Sequence, residues 1–199
     1  EGIAATFSVC EIGAQLCWLG TAGQAGGYKV YTATGYEATA ISFEGIDFAL
    51  AQFSQADLAA ATGESYTDQH HDFYLLTVGH TTFVFDFQTA QWHTRRSFVD
   101  AISGILGPWR MRWHCFGFGK HLWLDANTGV AYESSILFGT DVDELPIPRE
   151  RIGPSICRNN QELDLGEIEL TMQGGIGNTN DPGANPMVGL SISDDGGQT

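Results

Sequence analysis

Apolar and polar positions along this chain recur in one order three times. Each time an apolar run meets a Gly-containing turn, a second apolar run follows, and a short polar turn leads to a third strand carrying an aromatic residue. The first copy reads Gln15-Leu-Cys-Trp-Leu-Gly20, then Gly27-Tyr-Lys-Val-Tyr31, then Thr34-Gly35-Tyr36 into Ala40-Ile-Ser-Phe43. The second reads Phe73-Tyr-Leu-Leu-Thr-Val78, then Thr82-Phe-Val-Phe-Asp86, with the turn Gln88-Thr-Ala-Gln91 leading to Trp92-His93. The third reads Trp113-His-Cys-Phe-Gly-Phe118, then His121-Leu-Trp-Leu-Asp125, then Asn127-Thr-Gly129 into Val130-Ala-Tyr132. Alternation within these runs is imperfect, so the strands are expected to be covered on both faces. Recurrence at intervals of about 40–55 residues predicts an all-β fold of β-propeller-like antiparallel blades, with a β-sandwich as the alternative.

The turns carry the most specific chemistry. Asp86 and Asp125 each end a strand, and Thr89 and Thr128 follow three residues later. An Asp side chain closes its own turn, and a following Gly takes the left-handed conformation, so both acids are expected to be structural. Between the first two copies, residues 44–61 place Ile46, Leu50 and Phe53 on a helical stripe with an Ala-rich tail and Gly63 beyond it. This predicts one amphipathic helix inserted between blades as a connector.

After Tyr132 the texture changes. Asp141, Asp143 and Glu144 form an acidic patch, and Pro146, Pro148 and Pro154 impose an extended path. The reading divides the chain into blades over 1–145 and a crossing segment with further strands over 146–199. In that second part residues 163–170 alternate cleanly, 174–186 form a Gly-, Asn- and Pro-rich loop, and 187–192 form a strand. Because the chain lacks an initial Met and stops inside a hairpin motif, it is expected to be part of a longer protein.

Composition fits short strands joined by tight turns: 25 Gly, 12% aromatic and only 17% charged residues. A coiled coil or helical bundle needs more Lys, Glu and Leu. Net charge is −15, and it is uneven. Lys29 is the one base before Arg95, and no base follows Arg158. Tight binding to duplex DNA or anionic membrane needs Lys and Arg, so neither is expected, whereas an acidic wall suits DNA that must slide past without sticking. Cys10, Cys17, Cys115 and Cys157 have no CxxC spacing and read as buried free thiols of a protein folded in a reducing cytoplasm. No apolar run approaches the ~20 residues of a membrane span, and no signal-peptide pattern is present.

Candidate catalytic residues fail on inspection, and no catalytic, cofactor-binding or metal residue is assigned. Ser193-Asp-Asp195-Gly-Gly197-Gln-Thr199 matches an Asp-box hairpin, in which Asp195 closes the turn. A sialidase would also need an arginine triad around a carboxylate, and Arg95, Arg96, Arg110 and Arg112 come as two local pairs instead. With Trp92, Trp109 and Trp113 nearby, these arginines could stack on bases or sugars, cross-link blades, or face an acidic neighbouring subunit; the last is favoured. His70-His71, beside Asp68 and Asp72, and the pair His114 and His121 read as hydrogen-bonded strand histidines rather than zinc ligands. Neither a Gly-x-Ser-x-Gly elbow nor a phosphate loop occurs, and Ser103-Gly104 reads as a loop.

Four segments, in order, resemble the phage packaged-DNA stabilization protein family, the tail hub or tail accessory factor of short-tailed phages (podoviruses). They are Phe73-Tyr-Leu-Leu-Thr through Phe85-Asp-Phe-Gln-Thr-Ala-Gln-Trp-His93; Gly119-Lys-His-Leu to Asp125-Ala-Asn-Thr-Gly-Val-Ala-Tyr-Glu133; Pro146-Ile-Pro-Arg-Glu-Arg-Ile-Gly-Pro154; and Ser193-Asp-Asp-Gly-Gly197. The Trp18-Leu-Gly20 segment and the helix near Ile46 sit in the family's order. The resemblance implies a propeller-containing subunit of a six-fold ring below the portal and its head-to-tail adaptor. Such a ring plugs the head, retains packaged DNA, forms part of the ejection conduit and offers attachment surfaces for tailspikes, fibres or a needle. It implies no catalytic residues, no cofactor and no membrane insertion, and a place in the virion tail after assembly in the host cytoplasm. The acidic flanks are then expected to face a lumen through which double-stranded DNA passes. The rival readings are a carbohydrate-binding or sialidase-like propeller at the host surface and a cytoplasmic propeller scaffold.

Overall fold

The computed structural model describes residues 2–23, 26–100 and 104–142, together with 145, 147, 149–153, 167, 169 and 188–192. Its strands form three antiparallel sheets, in each of which spatial order follows chain order. The first sheet contains β1 (Cys10–Ile12), β2 (Gln15–Thr21), β3 (Tyr28–Thr34) and β4 (Glu37–Ala40). The second contains β5 (Thr62–Asp68), β6 (His71–Val78), β7 (Thr81–Asp86), β8 (Gln91–Asp100) and β9 (Ile105–Pro108). The third contains β10 (Met111–Gly117), β11 (Lys120–Asp125) and β12 (Ala131–Ser134). All of these lie in the compact unit Glu1–Ser135, and Ile136–Thr199 is a second unit. The three repeats of the sequence are thus three consecutive meanders, the arrangement of propeller blades.

Two-residue loops set the registers. Asp68 pairs with His71 across Gln69-His70, and Gly117 pairs with Lys120 across Phe118-Gly119. Gln69 (φ 48°), His70 (φ 67°) and Phe118 (φ 56°) all occupy the left-handed region without being glycine. Both loops therefore have the positive φ values of the primed turns that match strand twist.

Helix structure departs from the single helix expected over 44–61. The segment forms α1 (Glu44–Ala51) and α2 (Gln55–Ala59). The break is chemical: the Ser54 hydroxyl accepts the Asp57 N–H at 3.1 Å and starts a new helix as its N-cap. Gly63 stops nothing and lies inside β5. In the first repeat the third strand is Glu37–Ala40 rather than 40–43. Beyond it the Ile41 N–H donates to the Val30 carbonyl at 2.9 Å, and the Ser42 hydroxyl accepts from the Val30 N–H at 3.1 Å. Those two bonds finish the sheet edge and deliver Phe43 to the helix start.

One apolar core joins the first two sheets and the helices. It contains Cys17, Leu19 and Val30 of the first sheet, Ile46, Leu50 and Leu58 of the helices, and Tyr74, Leu76, Val78, Phe83 and Phe85 of the second. A buried polar knot crosses it. Ser8 accepts the Leu19 N–H through its hydroxyl (3.0 Å), and its carbonyl accepts the Tyr74 hydroxyl (2.8 Å). Every residue of β7 is buried, so the expected two-sided cover holds at the centre of the second sheet, whereas β8 exposes Gln91, His93, Thr94 and Arg96. It fails for the third, where Trp113, Phe116 and Leu124 are exposed. Cys17 is buried as expected and Cys10 half-buried, but Cys115 is exposed; Cys157 lies outside the described residues.

Residues 188–192, expected as strand, are exposed and irregular. The expected strand 163–170, apart from 167 and 169, the loop 174–186, the prolines at 146, 148 and 154, and the Asp195 hairpin lie outside the described residues.

Close approach of β1 to β5 depends on Gly63. A Cβ there would sit 2.3 Å from the Ser8 carbonyl oxygen and 3.1 Å from the Cys10 sulfur. Gly63→Ala is therefore expected to cost at least about 2 kcal/mol, because backbone must move. Gly117→Ala, whose new methyl meets nothing within 4 Å, is expected to stay within about 1 kcal/mol of the parent when both variants are compared by urea titration.

Candidate functional site

Asp86 and Asp125 occupy equivalent places and do equivalent work. Asp86 accepts the Gln88 N–H (2.9 Å), the Thr89 hydroxyl (2.8 Å) and His71 Nδ1 (2.8 Å). Asp125 accepts the Asn127 N–H (2.9 Å), the Thr128 hydroxyl (2.8 Å) and an Arg110 guanidinium N–H. The Asp-x-x-Thr turns read from sequence are thus closed by their carboxylates, each with a cationic or titratable partner from outside the turn. Burial alone would push the Asp125 carboxyl up. The Arg110 guanidinium, the Asn127 N–H and the Thr128 hydroxyl outweigh it and hold the pKa at about 2. Both oxygens of each carboxylate accept from structural donors, as a turn-closing acid requires.

The arginines correct the expectation of subunit contacts for three of four positions. Arg95 lies over the rings of Tyr66, Phe73 and Trp109, 5.1–5.3 Å from their centroids, and donates to the Tyr66 hydroxyl at 2.5 Å. Arg110 pairs with Asp125, and Arg112 donates to the carbonyls of Trp109 and Met111. Arg95 thus ties β5, β6 and β8 to Trp109 of the β9–β10 connector, Arg110 ties that connector to β11, and Arg112 bonds locally within the start of β10. Arg96, one residue along β8, points to the other side and is exposed.

The sheets meet at a seam that the sequence reading missed on the β5 side. Tyr66 stacks on Phe73 (5.0 Å) and meets Trp123 edge-on (5.1 Å), with His114 at 5.5 Å and His121 at 5.9 Å. Two residues earlier, the half-buried Glu64 takes backbone N–H groups of Trp113 and His114. It thereby fixes the bulge at which Trp113 (φ 51°) is pushed out of the β10–β11 ladder. The only signal for this strand was the spacing of Glu64, Tyr66 and Asp68 at every second position in a polar stretch. His114 and His121 hydrogen-bond each other at 2.9 Å, while His71 pairs with Asp86 and His70 sits in the turn before it. Among the described residues no group of three or more His, Cys, Asp or Glu side chains is placed to hold a metal ion.

What faces solvent is mixed: Ile3, Phe7, Phe48, Val99 and Phe116 are exposed away from the hairpin tips, beside acids and bases such as Arg96 and Lys120. Tyr36 and Phe118, at the β3–β4 and β10–β11 turns, are 110% and 97% exposed. Glu11, Glu37, Glu44 and Glu133 are exposed acids of the same unit.

A family model described as bacteriophage P22 Gp10, beta-propeller, matches residues 1–134. The match takes in all three sheets and the Phe73–His93 and Gly119–Glu133 resemblances; the 146–154 and 193–197 segments fall beyond it. Its family consists of phage structural proteins that stabilise packaged DNA and are not known as enzymes. No curated protein matches the chain.

The turn carboxylates can be tested by pH and mutation. Asp125→Ala removes a buried carboxylate that accepts from Arg110, Asn127 and Thr128, and is expected to cost about 3 kcal/mol by chemical denaturation. The folded pKa lies below the ordinary 3.8, so the Asp125 contribution is present above that value and is lost as pH falls towards 2. Acid titrations of the parent and of Asp125→Asn should therefore converge at the acid end.

Proposed function

The chain belongs to the phage family that stabilises packaged DNA, and on that premise we propose that it is a tail-hub subunit. In this reading identical copies close a ring below the portal and its adaptor, plug the filled head and form part of the conduit through which DNA leaves. Heterologous contacts close such a ring without two-fold pairing. The ring's outer face would carry tailspikes, fibres or a needle, and assembly would take place in the host cytoplasm before incorporation into the virion.

The observation that carries the reading is the coincidence of the family match with the charge pattern. The matched residues include the whole acid-rich stretch before Arg95, within a chain of net charge −15. A conduit must guide a polyanion without binding it. Acidic walls repel phosphates, and the condensed counterions that would drive tight binding are not released. Arg95, Arg110 and Arg112 are engaged within the fold, which leaves Arg96 as the exposed member of the four arginines.

Two measurements test this. Particles assembled without the chain are expected to package DNA and then lose it, becoming nuclease-sensitive on isolation; particles that keep protected DNA would overturn the reading. A reconstruction of the intact tail is expected to show an acidic lumen six-fold around DNA, and a basic lumen would contradict the conduit.

A further inference from the structure

The third sheet is attached differently from the other two. None of its residues belongs to the buried apolar cluster that unites the first two sheets and the helices. Its buried apolar side chains are Met111 and Trp123, and its junction with β5 is made of Glu64, Tyr66, Asp68, His114, His121 and Trp123. At the centre of that junction two imidazoles face each other, with His114 Nε2 2.9 Å from His121 Nδ1 and the rings stacked at 5.1 Å. Both rings touch Tyr66, and His114 also lies 4.7 Å from Trp123. We propose that the His114–His121 pair is an acid-sensitive latch that holds the third sheet against β5 and lets it open when both rings are protonated.

The chemistry follows from counting protons. An N–H···N bond needs one donor and one bare nitrogen, so the neutral pair satisfies it. A singly protonated pair still does: the imidazolium donates to the neutral ring, and Asp68 Oδ1, 3.6 Å from His121 Nε2, compensates the charge. A doubly protonated pair has no acceptor between the rings and stacks two cations. Burial and the neighbouring His121 hold the His114 pKa below its ordinary 6.5, so the closed seam resists that second proton. Once the seam opens, the His114 ring is solvated and loses the burial and the neighbour that lower its pKa. The open state then binds more protons below 6.5, so closure is favoured above that value and weakens as pH falls. One differential proton changes the equilibrium about tenfold per pH unit.

Other charges face the pair and must be separated from it. On β5 they are Glu64 and Asp68; on β8, Arg95 against Tyr66; on β10, Arg112; on β11 and β12, the Lys120–Glu133 ion pair. Glu64 is the strongest competitor, because its own pKa is raised by burial and it grips the β10 backbone.

The test is hydrogen exchange of the full chain between pH 7 and 5, corrected for intrinsic rates and resolved by strand, with tryptophan emission as a second readout. The parent is expected to lose about tenfold or more in protection over β10–β12, while β6 and β7 keep theirs. His114→Gln/His121→Gln, whose amides bond without titrating, should remove that loss, whereas Glu64→Gln should retain it. A double variant that opens like the parent, or a loss spread equally over all three sheets, overturns the latch. Should the double variant fail to fold, the parent's histidine ring resonances decide. His114 titrating below 6.5 in step with opening supports the latch, and independent titration of both rings at ordinary values excludes it.

Discussion

The structure depends on one strand having two occupied faces. β5 is the first strand of the middle sheet, and its side chains alternate as any strand's do. On one face Gly63 lets the Ser8 carbonyl and Cys10 approach, and the Ser65 hydroxyl donates to the Glu11 carbonyl at 2.7 Å. On the other, Glu64, Tyr66 and Asp68 receive the third sheet. The register with β6 carries each face across the sheet. Ser65 lies opposite Tyr74, whose hydroxyl reaches the Ser8 carbonyl, and Tyr66 lies opposite Phe73, on which it stacks. A one-residue slip of β5 would exchange the two faces and lose both neighbours at once.

The two junctions differ in kind. Between the first and second sheets, aliphatic and aromatic side chains bury a common core, and a few hydrogen bonds, such as Trp92 Nε1 to the Ile41 carbonyl at 3.0 Å, fix its geometry. Such burial is non-directional and insensitive to pH. Between the second and third, rings, a carboxylate, two imidazoles and a guanidinium do the work, and each needs a particular protonation state or angle. The first junction supplies stability and the second supplies orientation, so the third sheet is the part of this unit whose position responds to conditions.

Ion pairs lie both within the fold, as Arg110 with Asp125, and at its surface, as Lys120 with Glu133. Other acids, among them Glu11, Glu37 and Glu44, are exposed on the surface of the unit. A DNA-stabilising role of this sort asks for shape and for weak adhesion, not for a cleft with converging reactive groups.

Periodicity and turn chemistry in the sequence alone determined the number of repeats, the strands 73–78, 82–86 and 121–125, and the structural roles of Asp86 and Asp125. These are local properties: an Asp two and three residues before its donors needs nothing distant to close its turn. The family's character was legible too, in the order of segments around those turns. What only the tertiary structure decided was everything that depends on partners far along the chain. Polar β5 carried no apolar signal, since its glycine and polar residues are selected by Ser8, His114 and His121 rather than by a half-buried face. The helix of 44–61 broke because the Ser54 cap competes with continuation, which apolar spacing does not register. Arg95 and Arg110 meet partners 14 to 29 residues away in sequence, as Tyr66 is for Arg95 and Asp125 for Arg110, which no local pattern registers. Spacing along a chain can place such a cation on a strand, but only the packing of one sheet on the next says what it meets.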